Sequence, residues 1–564
     1  MQTHNFDDDG CFDARNVKRQ IPLSIISLHY PKPFPPKILS ALLAALLFNI
    51  SLSALPVQAQ NVKGKYSNVR VHIAGQSDLL PLAEAGLALD NIDYQGSYFD
   101  AVLNDNELSI LRRTGRRYSV LVDDMEEVYR QRPKLSAAEL NTLEAQMSAL
   151  YATPAHFHLG SMGGFLTLDE VRTELDTMRA AYPNLITVRQ PIGTSVESRE
   201  IWTVKISDNP DVDETETEVL YTALHHAREP QSMTTLIYFM WYVLENYGVD
   251  QTVTDLVNSR ELYFVPVVNP DGYAWNQQTN PAGGGMWRKN RRNNGNGTYG
   301  VDLNRNYGYL WGHDNTGSSP TPLSDTYRGT AAFSEPETQT IRNFTIDRQF
   351  TTAVHFHAHG NCWIFPWEYK VNIYTPDHPL FLAWCQDMTQ FNQYRYGTPI
   401  QTLGYIVNGG ANDWFYGGQV IPKKIYSFVA EVGNSTDGFW PTPDRIIPLA
   451  DENVYSNLRI AAGFTGTVPA IPLPASPGNS LTATAVPRSG VTLTWADYAN
   501  NEEFYEVQRR IGTGAWVDLA TLQRNTTTYL DRTTVARTTY SYRVNASNFA
   551  GASLPSNQVT IKAK

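Results

Sequence analysis

Cysteine is scarce: Cys11, Cys362 and Cys385 are the three in 564 residues. So few exclude a disulfide framework and a four-cysteine zinc module. Cys362 and Cys385 are left either to pair in an oxidising compartment or to sit as free buried thiols. Positive charge is also short. With 45 Lys and Arg against 56 Asp and Glu, the net charge is −11, which disfavours nonspecific binding to nucleic acid or to an anionic membrane surface. Glycine (38) and proline (33) fall below a collagen-like or low-complexity content. An apolar fraction of 42% with 12% aromatics indicates a globular chain, long enough for several domains.

Long apolar runs are confined to one place. Ile38 to Val57 carries no charge, follows Lys32 and Lys37, and ends at Val57-Gln58-Ala59 after Pro56. This reads as a secretion signal with a small-residue cleavage site, the alternative being an uncleaved anchor. Residues 1–60 are therefore expected to be leader and signal, with Met1 to Lys37 reflecting a misplaced start or a long leader. The mature product is expected to be exported, without a transmembrane segment.

From Val69 to Asp124 the pattern alternates: strands at Val69 to Ile73, Tyr98 to Leu103 and Tyr118 to Val122, helices at Asp78 to Leu87 and Asn106 to Arg113. A small α+β domain over 61–130 is expected. Residues 131–159 are expected to link it onward. Arg130, Arg132 and Lys134 precede a helix-prone Leu135 to Ala149, a place open to proteolytic nicking if exposed.

Over 160–467, helical patterns such as Thr167 to Tyr182 and Ser232 to Tyr247 alternate with apolar runs at Ile201 to Ile206, Val219 to Leu224, Leu262 to Val268 and Ile425 to Ala430. This predicts an α/β domain with a mixed or parallel central sheet flanked by helices, its ligands at the carboxyl ends of strands. A Pro-rich linker (468–478) then leads to 479–564, where short Thr-, Val- and Tyr-rich strands predict an independent all-β domain. Its Leu493-Thr-Trp495, Tyr505-Glu-Val507, Tyr529 and Tyr540-Ser-Tyr-Arg-Val544 resemble a fibronectin type III sandwich.

One strand of the α/β domain ends in Tyr221-Thr-Ala-Leu-His225-His226-Ala-Arg228-Glu229-Pro230. His226 and Glu229 stand within one turn at a strand's carboxyl edge, where both can face one metal ion. Farther on, Ala353-Val-His355-Phe-His357-Ala-His359-Gly360 puts three imidazoles on one face of a strand by its period of two. One of these is expected to complete a site of two His and one carboxylate for zinc, with a position open to water, the alternative for either motif alone being core or solvated histidines.

These segments resemble the zinc carboxypeptidases of the metallocarboxypeptidase A type, in five motifs ordered along the α/β domain. They are His226-Ala-Arg228-Glu229, Met286-Trp287-Arg288-Lys289-Asn290-Arg291, Gly300-Val-Asp302-Leu-Asn304-Arg305-Asn306, Phe356-His357 through Pro366, and Tyr405 through Asp413-Trp414 followed by Phe428-Val-Ala-Glu431. The resemblance implies one Zn2+ per chain held by His226, Glu229 and His357, since the family's ligand His precedes a Pro by nine residues, as His357 precedes Pro366. It implies Glu431 as general base and Arg288 as the group polarising the scissile carbonyl. Asn304 and Arg305 are implied to hold the substrate's terminal carboxylate, Arg228 to contact substrate, and Tyr405 to close over it on a loop made mobile by Asn408-Gly409-Gly410. Asp302 is implied either to orient the His226 ring or to serve a turn.

Some positions depart from the family pattern. His359 replaces a usual tyrosine, His225 adds an imidazole explained by packing, and a short insertion occupies Gly417 to Lys424. Asn412 resembles the base of the specificity pocket and, being neutral, commits neither to aliphatic and aromatic nor to basic termini. The α+β domain resembles an activation segment covering the cleft, a folding aid or a permanent accessory domain being the alternative. The expected activity is release of single residues from peptide or protein C-termini by a secreted enzyme. The competing readings are a cell-wall peptide endopeptidase on the same scaffold and a noncatalytic adhesion protein. A protein, polysaccharide or cell surface is the expected ligand of the last domain.

Overall fold

The computed structural model describes residues 64–564 apart from 91, 152, 419–423, 467–472, 488, 503 and 549–550. The expected leader and signal with Cys11, part of the Pro-rich linker, and most of the expected insertion after Gly417 lie outside the described residues.

Strands β1 (Tyr66–His72), β2 (Asp93–Tyr94), β3 (Tyr98–Asn104) and β4 (Tyr118–Val122) form an antiparallel sheet in the order β2-β3-β1-β4. Val69 and Val71 alternate inward with Phe99, Ala101 and Leu103. The helix Asp105–Thr114 starts where Asn104 and Glu107 cap each other and stops at Gly115, whose φ of 69° suits a residue without a Cβ. The helix expected from Asp78 to Leu87 is shorter, Leu79–Glu84, and the chain turns at Gly86 with φ 99°. The segment expected as a linker is itself partly ordered: Ser136 and Glu139 form a capping box for the helix Ala137–Ser148.

The main sheet has eight strands: β5 (Gln190–Thr194), β6 (Glu200–Ile206), β7 (Thr217–Ala223), β8 (Arg260–Val265), β9 (Phe350–His357), β10 (Cys362–Ile364), β11 (Arg395–Gly397) and β12 (Tyr426–Glu431). Their order is β11-β10-β12-β9-β7-β8-β6-β5. The centre, β12-β9-β7-β8, is parallel, while β10 against β12 and β6 against β8 are antiparallel. Both faces are covered, which is why β7 and β8 are buried almost continuously rather than at alternate residues. The helix Pro230–Asn246 packs on one face and is apolar nearly all round, as a helix enclosed by neighbours must be. On the other face Leu220, Val265, Leu303, Ile341 and Phe415 join one cluster. Cys362 and Cys385 are free and buried, so the pairing alternative is not realised.

After the main sheet come a three-stranded sheet, β13 (Thr482–Val486), β14 (Gly490–Thr494) and β17 (Thr528–Asp531), and a second built from β15 (Phe504–Ile511), β16 (Val517–Gln523), β18 (Thr539–Asn548), β19 (Gly551–Ala552) and β20 (Val559–Lys562). Trp495, Tyr505, Tyr540 and Tyr542 lie in one apolar cluster fed by both sheets.

Candidate metal centre and substrate cleft

The turn leaving β7 carries the first two candidate ligands. Leu224 has φ 56°, a conformation a leucine adopts only when its surroundings impose it. Its N–H donates to Ser232 Oγ (3.2 Å), and that hydroxyl donates to the Glu229 carbonyl (2.6 Å). Asn269 Nδ2 donates to the His225 carbonyl (3.0 Å) and Asn276 Nδ2 to that of Ala227 (3.0 Å). The turn is therefore tied at four points before the helix Pro230–Asn246 starts, with Glu229 at its N-cap and Pro230 in the first turn.

The third candidate ligand, His357, ends the neighbouring strand β9, and β12 sets Glu431 directly beside it in parallel register. His226 Nδ1 lies 2.8 Å from Glu229 Oε1, His357 Nδ1 lies 2.9 Å from Glu229 Oε2, and the two Nδ1 atoms are 3.0 Å apart. His226, Glu229 and His357 are all buried, and their ligand atoms fall within 4.8 Å of one another. Two imidazole nitrogens and a carboxylate converging this closely in a buried site form a three-donor set that a cation between them would satisfy. The donor set, two nitrogens and one carboxylate, suits zinc. Burial would raise the Glu229 carboxyl, but His226 and His357 hold it below its ordinary value.

His226 Nε2 lies 3.1 Å from Asp302 Oδ1, so Asp302 does orient that ring. It also accepts from the Asn304 N–H (2.9 Å), so both readings of Asp302 hold at once. Against burial, Arg288, His226 and Arg305 keep the Asp302 carboxyl well below the ordinary range. His225 Nε2 pairs with Tyr307 Oη (2.9 Å), and its ring stacks on His357 (centroids 5.5 Å). It packs, as its position suggests. His355 sits between Thr222 and Ser427 on the two flanking strands. His359 lies beyond the end of β9, so the three imidazoles do not share one strand face as expected; its ring packs against Phe439.

Arg288 donates to Asp302 Oδ2 through Nε (3.1 Å) and one terminal nitrogen (2.8 Å). Arg305 donates to the Asn304 carbonyl (2.8 Å), and Asn304 Oδ1 accepts from the Ala411 N–H (2.9 Å). Arg228 donates to Asp325 Oδ2 (3.1 Å) and lies over the Phe439 ring (4.3 Å). The glycines after Tyr405 serve close approach. Gly409 has φ 71°, and a Cβ there would come within 2.4 Å of the Arg305 carbonyl oxygen. Asn408 is buried and donates to Asp314 (2.7 Å). Tyr405 itself is half-buried, packed on the apolar cluster of the β1–β4 unit and on Leu403 and Ile364. Glu431 Oε2 is buried without a hydrogen-bond partner, and burial together with Glu229 and Asp90 pushes its carboxyl well above the usual range.

Three residues escape sequence reasoning. Asp90, from the β1–β4 unit, places its carboxylate between Arg305 and Arg288. Asp325 accepts from Tyr66 Oη and Asn104 Nδ2, both at 3.1 Å, and pairs with Arg228. Glu368 accepts from Asn412 Nδ2 (2.9 Å), while its own N–H donates to Asp413 (2.9 Å). Neither Asp90 nor Asp325 lies in a periodic or motif-bearing stretch. Glu368 was open to discovery, as an acid two residues beyond Pro366 in the ligand-strand segment. With Asp90 in place, the cleft among His226, Arg305, Glu368, Tyr405 and Glu431 keeps a cavity of only about 20 Å3.

A family model described as zinc carboxypeptidase matches residues 171–456. A zinc carboxypeptidase of Saccharothrix mutabilis subsp. capreolus is 29% identical over 385 residues, 64% of this chain and 86% of that protein. Carboxypeptidase A2 of Rattus norvegicus is 32% identical over 295 residues, 51% of this chain and 67% of its own length. The carboxypeptidase A structure from Helicoverpa armigera superposes with a TM-score of 0.55 at 24% identity, covering 71% of this chain and 99% of that one; this likeness concerns the fold.

Proposed function

The chain belongs to the zinc carboxypeptidase family, and from that premise we propose that it releases single residues from the carboxyl ends of peptides at the site around His226, Glu229, His357 and Glu431. The observation that carries the reading is the convergence of two Nδ1 atoms, 3.0 Å apart, on one carboxylate. Zinc bound by His226, Glu229 and His357 supplies positive charge that acidifies a water and polarises a carbonyl. Glu431, with one oxygen unpartnered, takes the proton of the attacking water and returns it to the departing amine. The Arg288 guanidinium stabilises the oxygen that becomes negative as the carbonyl turns tetrahedral. Arg305 offers a planar, permanently charged fork to the terminal carboxylate, and Asn304 stands beside it. Arg228 contacts the residues preceding the cut, Tyr405 covers the bound terminus, and Asn412 belongs to the pocket for its side chain.

The β1–β4 unit acts as an inhibitory segment. What supports this is Asp90, a carboxylate set where a substrate's terminal carboxylate would pair with Arg305. Cutting in the Arg130 to Lys134 region, where both of these side chains are exposed, releases it. The two C-terminal sheets act as a fibronectin type III-like sandwich that binds a protein, polysaccharide or cell surface, and the chain is exported by its N-terminal signal. Among the described residues no helix is long and apolar enough to cross a membrane.

The test is hydrolysis of a blocked dipeptide offered as the free acid and as the amide. Release from the free acid alone is expected. Cleavage of both indicates the endopeptidase instead, and cleavage of neither by zinc-loaded, cut protein ends the enzymatic proposal.

A further inference from the structure

The side chain released must enter a pocket whose walls and floor differ in chemistry. Ile364, Pro399, Val407 and Val429 line the cleft beside Arg305 and Glu431. Beyond these apolar walls stands the Glu368 carboxylate, 3% exposed, held by the fully buried Asn412. Asn412 gives its amide N–H to Glu368, and its Oδ1 is left buried without a partner. Asp413, also buried, adds a second carboxylate behind the Glu368 N–H. Among the described residues no cationic side chain forms an ion pair with Glu368 or Asp413. Arg305, the nearest cation acting on Glu368, is taken by a terminal carboxylate whenever substrate is bound. The floor thus presents two buried acids and an unpartnered amide oxygen with no cation paired to them; burial pushes the Glu368 carboxyl up to about 7 and the Asp413 carboxyl well above its ordinary value, a strain that a cation entering the pocket relieves.

We propose that this pocket selects peptides ending in a basic residue, Lys or Arg, with Glu368 as the specificity-determining side chain. The inference rests on the carboxypeptidase reading above. Lysine and arginine are the residues that match both parts of the pocket: a methylene stem lies along Ile364, Val407 and Val429, and the cationic head donates to Glu368 and to Asn412 Oδ1. A leucine or phenylalanine would fill the walls and leave a buried carboxylate and a buried amide oxygen unanswered, which is the costly arrangement. An acidic terminus would set like charges together. Asn412 is then a positioning residue: it commits to no side-chain class by itself, but it fixes the carboxylate that does.

The experiment uses the zinc-loaded full chain, cut within 131–159 by brief trypsin treatment with the trypsin then inhibited, on blocked dipeptides ending in Lys, Arg, Leu, Phe, Gln or Glu. Lys and Arg should be released with kcat/KM about 10²-fold above Leu and Phe, the scale on which a buried charge pair discriminates. In Glu368→Gln the Lys-to-Leu ratio should fall toward unity, mainly through KM for the basic substrates, and Glu368→Asp should restore part of it. Equal or faster release of Leu or Phe by the wild type overturns the inference while leaving the carboxypeptidase reading intact. So does a Glu368→Gln enzyme that keeps the basic preference. Release from none of the six overturns both. If Glu368→Gln does not fold, the wild-type panel decides alone.

Discussion

Glu431 is where the chemistry of single residues can be isolated from metal binding. It stands next to the ligand His357 across a strand pair but makes no ion pair with the three candidate ligands, and one of its oxygens has no partner at all. Glu431→Gln keeps shape and removes the proton acceptor. Turnover of a free-acid dipeptide should fall by about 10²–10⁴-fold, with zinc by elemental analysis still near one per chain. Loss of zinc in that variant would mean that a ligand has been mistaken for the base. The residues of the site that were legible in the sequence, His226, Glu229, Arg288, Asn304, Arg305, His357 and Glu431, share a property: each lies in a short run whose spacing is fixed by one strand end or one turn. Asp90, Asp325 and the role of Glu368 depend on contacts between segments far apart in the chain, for which spacing carries no signal.

At the scale of elements, the site hangs on the turn between β7 and the helix Pro230–Asn246. Ser232, the third residue of that helix, joins the two ends of the turn by accepting from Leu224 N–H and donating to the Glu229 carbonyl. Ser232→Ala leaves both groups buried without that partner and relaxes the hold on the left-handed Leu224. A destabilisation of about 1–3 kcal/mol is expected in denaturant unfolding, and weaker zinc retention against a competing chelator should accompany it, because His226 and Glu229 flank the loosened turn. Unchanged stability and zinc retention would show that the turn is held by Asn269 and Asn276 instead. Apolar runs announced β6, β7, β8 and β12 within three residues at each end, since strands covered on both faces need continuous hydrophobicity. The helix at Leu79–Glu84 was overestimated because its amphipathic pattern continues past the point where Gly86 turns the backbone away. The loop after Tyr405 is ambiguous for a related reason: glycine signals mobility and close packing alike, and the 2.4 Å approach to the Arg305 carbonyl shows the packing requirement at Gly409.

Across the whole molecule, the β1–β4 unit is docked on the cleft through several contacts, among them Ser435 on Asp93, and two of these are buried acid anchors. One is Asp325, held by Tyr66, Asn104 and Arg228; the other is Asp90, held by Arg305 and Arg288. Asp90→Ala removes the second anchor and leaves the first, so the unit should stay docked while the carboxylate subsite opens. The uncut variant should therefore hydrolyse a free-acid dipeptide at least about 30-fold faster than the uncut wild type, the scale of a truncated buried ion pair. The sign of the pH dependence follows from Asp90 itself. Desolvation would raise its carboxyl, but Arg305 and then Arg288 hold it below the ordinary value. A carboxylate with a lowered value in the docked state contributes its full attraction above its free value of about 3.9, and that attraction is lost as the pH falls through the lowered value. Latency of the uncut wild type should thus be flat from pH 8 to about 5, and mild acid should not substitute for proteolysis. Rate measurements on uncut chain across that range check it: activity rising steadily from pH 8 toward 5, or an uncut wild type as fast as the cut form, would show that Asp90 does not hold the cleft shut.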